Sequence, residues 1–226
     1  MEPFKVRVWG PYACFTRPEF SVERVSYDVM TPSAARGVLE AIFWKPEFRW
    51  EIREIWVLNP IQHITFLRNE IGTRQGYKPI LVEEKRQQRT TRALKDVCYI
   101  ILAQPVLNPH ATDNIAKYRD CFWRRVERGQ YHHTPYLGTR EFAAFFSAPA
   151  GDEEPIREDR DLGTLLFEKR YHDDPKRPEM QFWSHREGKP RRVKGWAEPL
   201  FFISRLQQGK LVVSPDEYMR LEDDNA

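Results

Sequence analysis

The chain has 226 residues, room for one large or two small domains, and a hydrophobic share of 41% with seven tryptophans can supply a real core. A charged share of 31% argues for a soluble protein, and no apolar run approaches the roughly 20 residues of a membrane span. The net charge is only +3, the three cysteines are too scattered for a disulfide framework or zinc site, and Lys5 and Arg7 interrupt any secretory-type start. A cytoplasmic protein is the expectation.

Phe4, Val6 and Val8 alternate with Lys5, Arg7 and Trp9, which predicts a strand. A long charged loop follows. Thr31 can then cap a helix over about residues 32–44, with Pro32 at its first position and Pro46 ending it. Phe48, Trp50 and Ile52 alternate, and Ile55 and Val57 resume on the other parity, which predicts a bulge or two short strands. Asn59-Pro60 is a turn signal, and residues 61–67 read as the returning strand of a hairpin.

Residues 69–91 are polar and basic, and read as an exposed loop or an extended hairpin. Residues 94–102 are a β-prone apolar run. Asp113 or Asn114 can cap a second helix that runs to about Arg128, with Gly129 at its C-terminal glycine position. Residues 136–146 read as a strand. The order resembles a ferredoxin-like (RRM-like) βαββαβ unit with a basic insertion, over residues 1–148.

Residues 151–161 are acidic and turn-rich, a linker signal. Beyond them come short strand-like runs at 162–167, 181–184, 200–203 and 210–213, with a turn at Gln208-Gly209 and no helical period. The expectation for residues 149–226 is a small antiparallel β-sheet domain with a frayed acidic tail. The fold class expected is thus α+β.

Charge is distributed unevenly. One basic stretch holds Arg68, Arg74, Lys78, Lys85, Arg86, Arg89, Arg92 and Lys95. A second holds Lys117, Arg119, Arg124, Arg125, Arg128 and Arg140, and a third Arg186, Lys189, Arg191, Arg192 and Lys194. Basic stretches separated from acidic ones are an electrostatic footprint for nucleic acid, although solvated loops carry the same pattern.

In the second helix Ile115, Tyr118, Phe122 and Val126 share one face, while Lys117, Cys121, Arg124 and Arg128 form the adjacent stripe. Tyr118 reads as a core tyrosine or a catalytic one, and Lys117 as a solvated lysine or a ligand contact. His132 and His133 offer general acid or base chemistry, and in a strand they would point to opposite faces. That geometry and the lack of nearby carboxylate or cysteine partners weaken a metal reading, and no cofactor motif is visible. Walker, dinucleotide and nucleophile-elbow templates are absent.

Several stretches closely resemble the CRISPR-associated protein 5 family, subtype I-C: residues 12–19, 22–46, 68–70, 115–129 and 135–142. The resemblance implies a ferredoxin-like N-terminal domain, a small β-rich C-terminal domain and two roles. One is to hold the 5′ handle of CRISPR RNA at the end of the Cascade complex, beside backbone subunits of the CRISPR-associated protein 7 family and the large subunit. The other is metal-independent cutting of the precursor repeat to leave a 2′,3′-cyclic phosphate. Some members carry a catalytic tyrosine just before Trp-Lys-Pro and a Lys-His pair early in the second helix. Here those positions are Phe43 and Lys117-Tyr118. The catalytic set expected is Lys117, Tyr118 and His133. The alternative is a non-catalytic RNA-binding cap. The RNA-contact set expected is Arg17, Arg24, Arg36, Lys45, Arg68, Arg74, Arg86, Arg89, Arg92, Arg124, Arg128 and Arg140.

Overall fold

In the computed structural model, which describes residues 3–20, 22–73, 76–77, 79–185 and 189–222, the chain is a mixed α/β fold built on one large sheet. The strands are β1 (Phe4–Ala13), β2 (Arg24–Val25), β3 (Phe48–Val57), β4 (Gln62–Ile71), β5 (Arg86–Leu107), β6 (Phe145–Ser147), β7 (Arg160–Asp173), β8 (Met180–Ser184), β9 (Arg191–Gln207) and β10 (Lys210–Val212). The helices are α1 (Pro32–Ile42), α2 (Val82–Lys85), α3 (Ile115–Glu127) and α4 (Pro215–Glu222). The sheet runs β6-β1-β5-β3-β10-β9-β7, with β2 and β4 also on β5 and β8 on β9. Every pairing is antiparallel except the two-residue β2 against β5.

Alternation on β1 buries Phe4, Val6 and Val8 under α1 and α3. Phe4 packs edge-on against Trp50 of β3 and Phe122 of α3, with centroids 5.4 and 5.6 Å apart. The parity change in β3 is a register shift between Ile52 and Glu54, as the sequence predicts. β5 is long because it serves two assemblies. Its first half pairs with β4, and its second half lies between β1 and β3. Asp96, at φ +51°, marks the changeover, and Asn59 Nδ2 donates to its carbonyl at 2.7 Å.

β4 and the first half of β5 therefore pair as an extended hairpin, one of the two forms expected for the basic insertion. The predicted hairpin between β3 and β4 does not form, because β4 takes β5 as its partner and β3 takes the other half of the same strand. The predicted strand over 136–146 is also corrected. Only the Tyr136–Ala143 bridge and the three-residue β6 are extended there. Gly138 explains the break. It sits at φ +86°, and a Cβ on it would lie 2.1 Å from the Cys14 carbonyl oxygen.

The C-terminal strands are antiparallel, as expected, but continuous with the first sheet through β10, which pairs with both β3 and β9. The acidic tail begins as a helix rather than a frayed segment. Ser214 Oγ caps α4 by accepting from Asp216 N at 3.2 Å. Tyr218 is buried, with its ring 4.9 Å from Phe167 and its hydroxyl accepting from Ile52 N–H at 2.6 Å. Among the described residues, no helix is long and apolar enough to cross a membrane.

Candidate functional site

α3 forms where its signals predict. Asn114 Oδ1 accepts from Ala116 N at 3.0 Å, Arg124 and Arg125 lie in the last turn, and Gly129 follows at φ +61°. Tyr118, Phe122 and Val126 are buried, which leaves Lys117 on the exposed side. Lys117 Nζ donates to Asp113 Oδ2 at 2.7 Å, and that hydrogen bond raises its pKa above the ordinary lysine value. Lys117 is therefore a fixed cation at neutral pH.

Tyr118 points the other way. Its ring lies 5.2 Å from Phe48, and its buried hydroxyl has no hydrogen-bond partner among the described residues. Burial and then the Glu47 carboxylate raise its pKa, so the hydroxyl keeps its proton. That environment holds the proton on the hydroxyl and so opposes its release as well as a base role.

The end of α1 meets the end of α3. Arg125 Nη1 donates to the Ile42 carbonyl at 2.7 Å and lies 5.2 Å over the Phe43 ring. His132 N–H and His133 N–H both donate to the Ala41 carbonyl, at 2.8 and 3.4 Å, and Trp50 Nε1 donates to that of Phe43 at 3.1 Å. The last carbonyls of the helix are thus satisfied by side chains and by a neighbouring segment. Phe43 is only 5% exposed and stacks on Phe48.

The histidines are not in a strand, so the predicted opposite-face arrangement does not apply. Both side chains are exposed, with rings 6.0 Å apart. His133 shares a hollow of about 440 Å³ with Thr134, Tyr136 and Arg140. Lys117 lies two turns before Arg125, about 12 Å along the axis, so the described contacts do not join it to His133.

A second hollow of about 440 Å³ lies against α1 and is lined by Thr16, Ser33, Arg36, Gly37, Glu40, Tyr136, Lys169 and Tyr171, among others. Tyr136 belongs to both hollows. Sequence reasoning missed Gly37, Lys169 and Tyr171 because they come from elements far apart in the chain. A glycine inside a good helix was the one available signal.

The expected RNA-contact residues divide by partner. Arg36 is engaged by Glu168 and Glu40, at 2.6 Å each, which hold it cationic although burial opposes the charge. Arg24 pairs with Glu141 at 2.8 Å, and Arg17 lies 4.7 Å over the Tyr27 ring. Arg68 and Arg89 stand opposite each other in the hairpin ladder, and Glu70 bridges them at 2.5 and 3.1 Å. That carboxylate relieves the repulsion of directly opposed like charges. Lys45, Arg86, Arg92, Arg124, Arg128 and Arg140 are exposed. Arg74 falls outside the described residues, as do Lys78 and Arg186. Among the described residues, no group of three or more His, Cys, Asp or Glu could hold a metal ion.

A large antiparallel sheet with a basic hairpin, an exposed lysine and two polar hollows suits binding of an anionic polymer. Residues 4–208 match the family described as CRISPR-associated protein (Cas_Cas5). The chain is 55% identical to the CRISPR pre-crRNA endoribonuclease Cas5d of Thermus thermophilus, covering 100% of this chain and 99% of that one. It is 42% identical over 188 residues to the enzyme of the same name from Mannheimia succiniciproducens, covering 73% of this chain and 83% of that one. The fold resembles a solved CRISPR-associated protein, with TM-score 0.62, 22% identity and coverage of 93% and 91% of the two chains. It also resembles a functionally uncharacterized protein, SMU1763c, from Streptococcus mutans, with TM-score 0.63, 21% identity and coverage of 94% and 92%. The chain belongs to the CRISPR-associated Cas5 family.

Proposed function

We propose that this protein is an endoribonuclease that cuts precursor CRISPR RNA within the repeat and then stays on the 5′ handle of its product as the capping subunit of Cascade. The observation that carries this reading is the 55% identity, over the whole of this chain, to a relative named for pre-crRNA cleavage. Its partners on this reading are CRISPR RNA, the backbone subunits of the CRISPR-associated protein 7 family and the large subunit, in the cytoplasm.

The chemistry needs no resident metal. The 2′-hydroxyl attacks the adjacent phosphorus, the bond to the 5′-oxygen breaks, and a 2′,3′-cyclic phosphate and a 5′-hydroxyl result. Three jobs follow: taking the 2′ proton, stabilising the phosphorane and protonating the leaving oxygen. Lys117 is assigned the second, since Asp113 keeps it charged. Tyr118 is assigned the third, which requires its hydroxyl, buried on the side away from Lys117, to be uncovered when RNA binds; uncovering also relieves the burial that makes it a weak acid. His133 is assigned the first. Its action at the phosphate that Lys117 contacts requires residues 131–134 to move toward the start of α3 when RNA binds.

We further propose that β6-β1-β5-β3, with α1 and α3 on one face, is the ferredoxin-like unit of residues 1–148. Residues 149–226 are then a second unit docked through β10 and α4. The exposed arginines of the hairpin and of α3 hold phosphates on this reading.

Phe43 favours a second reading, a non-catalytic RNA-binding cap. It stands where some relatives carry a catalytic tyrosine, and it has no hydroxyl. Incubating the purified protein with end-labelled repeat RNA in EDTA separates the two. One discrete cut with a cyclic phosphate end supports the enzyme, and intact, tightly bound RNA supports the cap.

A further inference from the structure

Gly37 lies inside α1, with ordinary helical backbone, and a Cβ built on it meets nothing within 4 Å. Glycine is the poorest helix former after proline, so the helix forgoes stability here without an internal packing reason. The space in front of it is the hollow of about 440 Å³ shared with Ser33, Glu40, Tyr136, Lys169 and Tyr171. That volume falls within the range of small-molecule sites, and the hollow mixes ring faces with a few polar groups.

The polar groups are held in place. Arg36 Nη1 donates to Glu40 Oε1 at 2.6 Å, while Arg36 Nε donates to Glu168 Oε2 at 2.6 Å. Glu40 is thereby oriented, with its side-chain oxygens as acceptors at the hollow. Tyr136 and Tyr171 are 36% and 40% exposed, so both rings still offer area for contact. Tyr171 is braced by Phe182, with ring centroids 5.2 Å apart. Lys169, two residues before Tyr171 on β7, supplies an exposed cation on the same side of the strand.

We infer that this hollow is a subsite for one unpaired nucleotide of the repeat RNA, its base turned out of the strand and lodged against the bare backbone at Gly37. The inference rests on the RNA-binding reading above. Tyrosine rings stack on the base, Lys169 meets a flanking phosphate, and Glu40 accepts from an amino group on the base edge. A carboxylate acceptor discriminates against uracil, which has no exocyclic amino group.

The test combines a protein change with an RNA change. Repeat RNAs, each with one abasic position, are titrated against the wild-type protein and against Gly37→Leu, which fills the hollow from a site with open space in front of it. Thermal melting of Gly37→Leu checks the fold. One abasic position should weaken wild-type binding roughly tenfold or more, and the same change should cost Gly37→Leu little, because the pocket is already closed. At that position uracil should bind more weakly than an amino-bearing base, and Glu40→Gln should shrink the difference. The abasic series on wild-type protein needs no variant to fold.

If Gly37→Leu binds every RNA like the wild type, or weakens binding without coupling to any one position, the subsite is wrong and the RNA-binding reading stands. The same holds if a peptide of a neighbouring subunit, and no nucleotide, competes for the hollow. If the wild-type protein has no measurable affinity for repeat RNA, both fall.

Discussion

Lys117 Nζ lies 2.7 Å from Asp113 Oδ2, four residues earlier, so the cation proposed to meet the scissile phosphate has a carboxylate partner before RNA arrives. This pairing keeps the lysine protonated, and it can exchange for a phosphate because both groups are solvated. Lys117→Ala should slow repeat cleavage by about 10²-fold or more while repeat affinity changes little. Single-turnover cleavage and filter binding measure the two separately. A variant that cuts at the wild-type rate would remove Lys117 from the mechanism.

The Tyr218 hydroxyl ties the last helix to the middle of the sheet through Ile52 N–H at 2.6 Å. Tyr218→Phe leaves that buried donor without its partner and should destabilise the protein by about 1–3 kcal/mol. Urea unfolding followed by tryptophan fluorescence reads this directly. An unchanged midpoint would mean that the Tyr218 hydroxyl contributes nothing to the fold.

These two residues show what the sequence makes legible. Lys117 and Tyr118 take the faces that helical periodicity assigns them, and the core alternative for Tyr118 matches its burial. The Thr31 cap, the β3 parity change and the glycine after α3 are also local signals, and each forms. α4 was equally local, since Ser214 and Pro215 are start signals, but its acidic surface reads as a solvated tail. Pairing was not legible. Nothing near residues 61–67 shows that β4 pairs with the first half of a 22-residue strand rather than with β3. The strand over 136–146 fails because Gly138 is needed against Cys14, a contact made across more than 120 residues. The hollow beside α1 draws on α1, β7 and the 136–138 segment, so no single stretch announces it.

His63 gives a pH prediction. Its Nε2 lies 3.2 Å from Asp28 Oδ1, with Arg92 and Arg160 nearby, and burial followed by the Arg92 charge lowers its pKa despite Asp28. The unfolded chain then binds a proton that the folded protein resists. Stability is full above the ordinary histidine pKa and falls as pH drops toward the lower folded value. His63→Gln should flatten the loss of melting temperature between about pH 7 and about pH 5. A variant with the wild-type slope would place the acid sensitivity elsewhere.

Two hairpin arginines, Arg86 and Arg92, are exposed, whereas Arg68 and Arg89 also hold Glu70. The double change Arg86→Glu and Arg92→Glu should weaken binding to all RNAs with little loss of stability. It should also reduce the slope of log affinity against log salt by roughly one per lost phosphate contact. Equal affinities across a salt series would mean that the hairpin faces away from the RNA.

The central claim is cleavage by the RNA's own 2′-hydroxyl, and a single atom tests it most directly. Repeat RNA with a 2′-deoxy nucleotide immediately 5′ of the cut should bind wild-type protein as tightly as the unmodified RNA and remain intact, in EDTA or in magnesium. The unmodified RNA should be cut under both conditions, ending in a 2′,3′-cyclic phosphate. Cleavage of the deoxy-substituted RNA at the same position, or products with a free 3′-hydroxyl, would contradict the account.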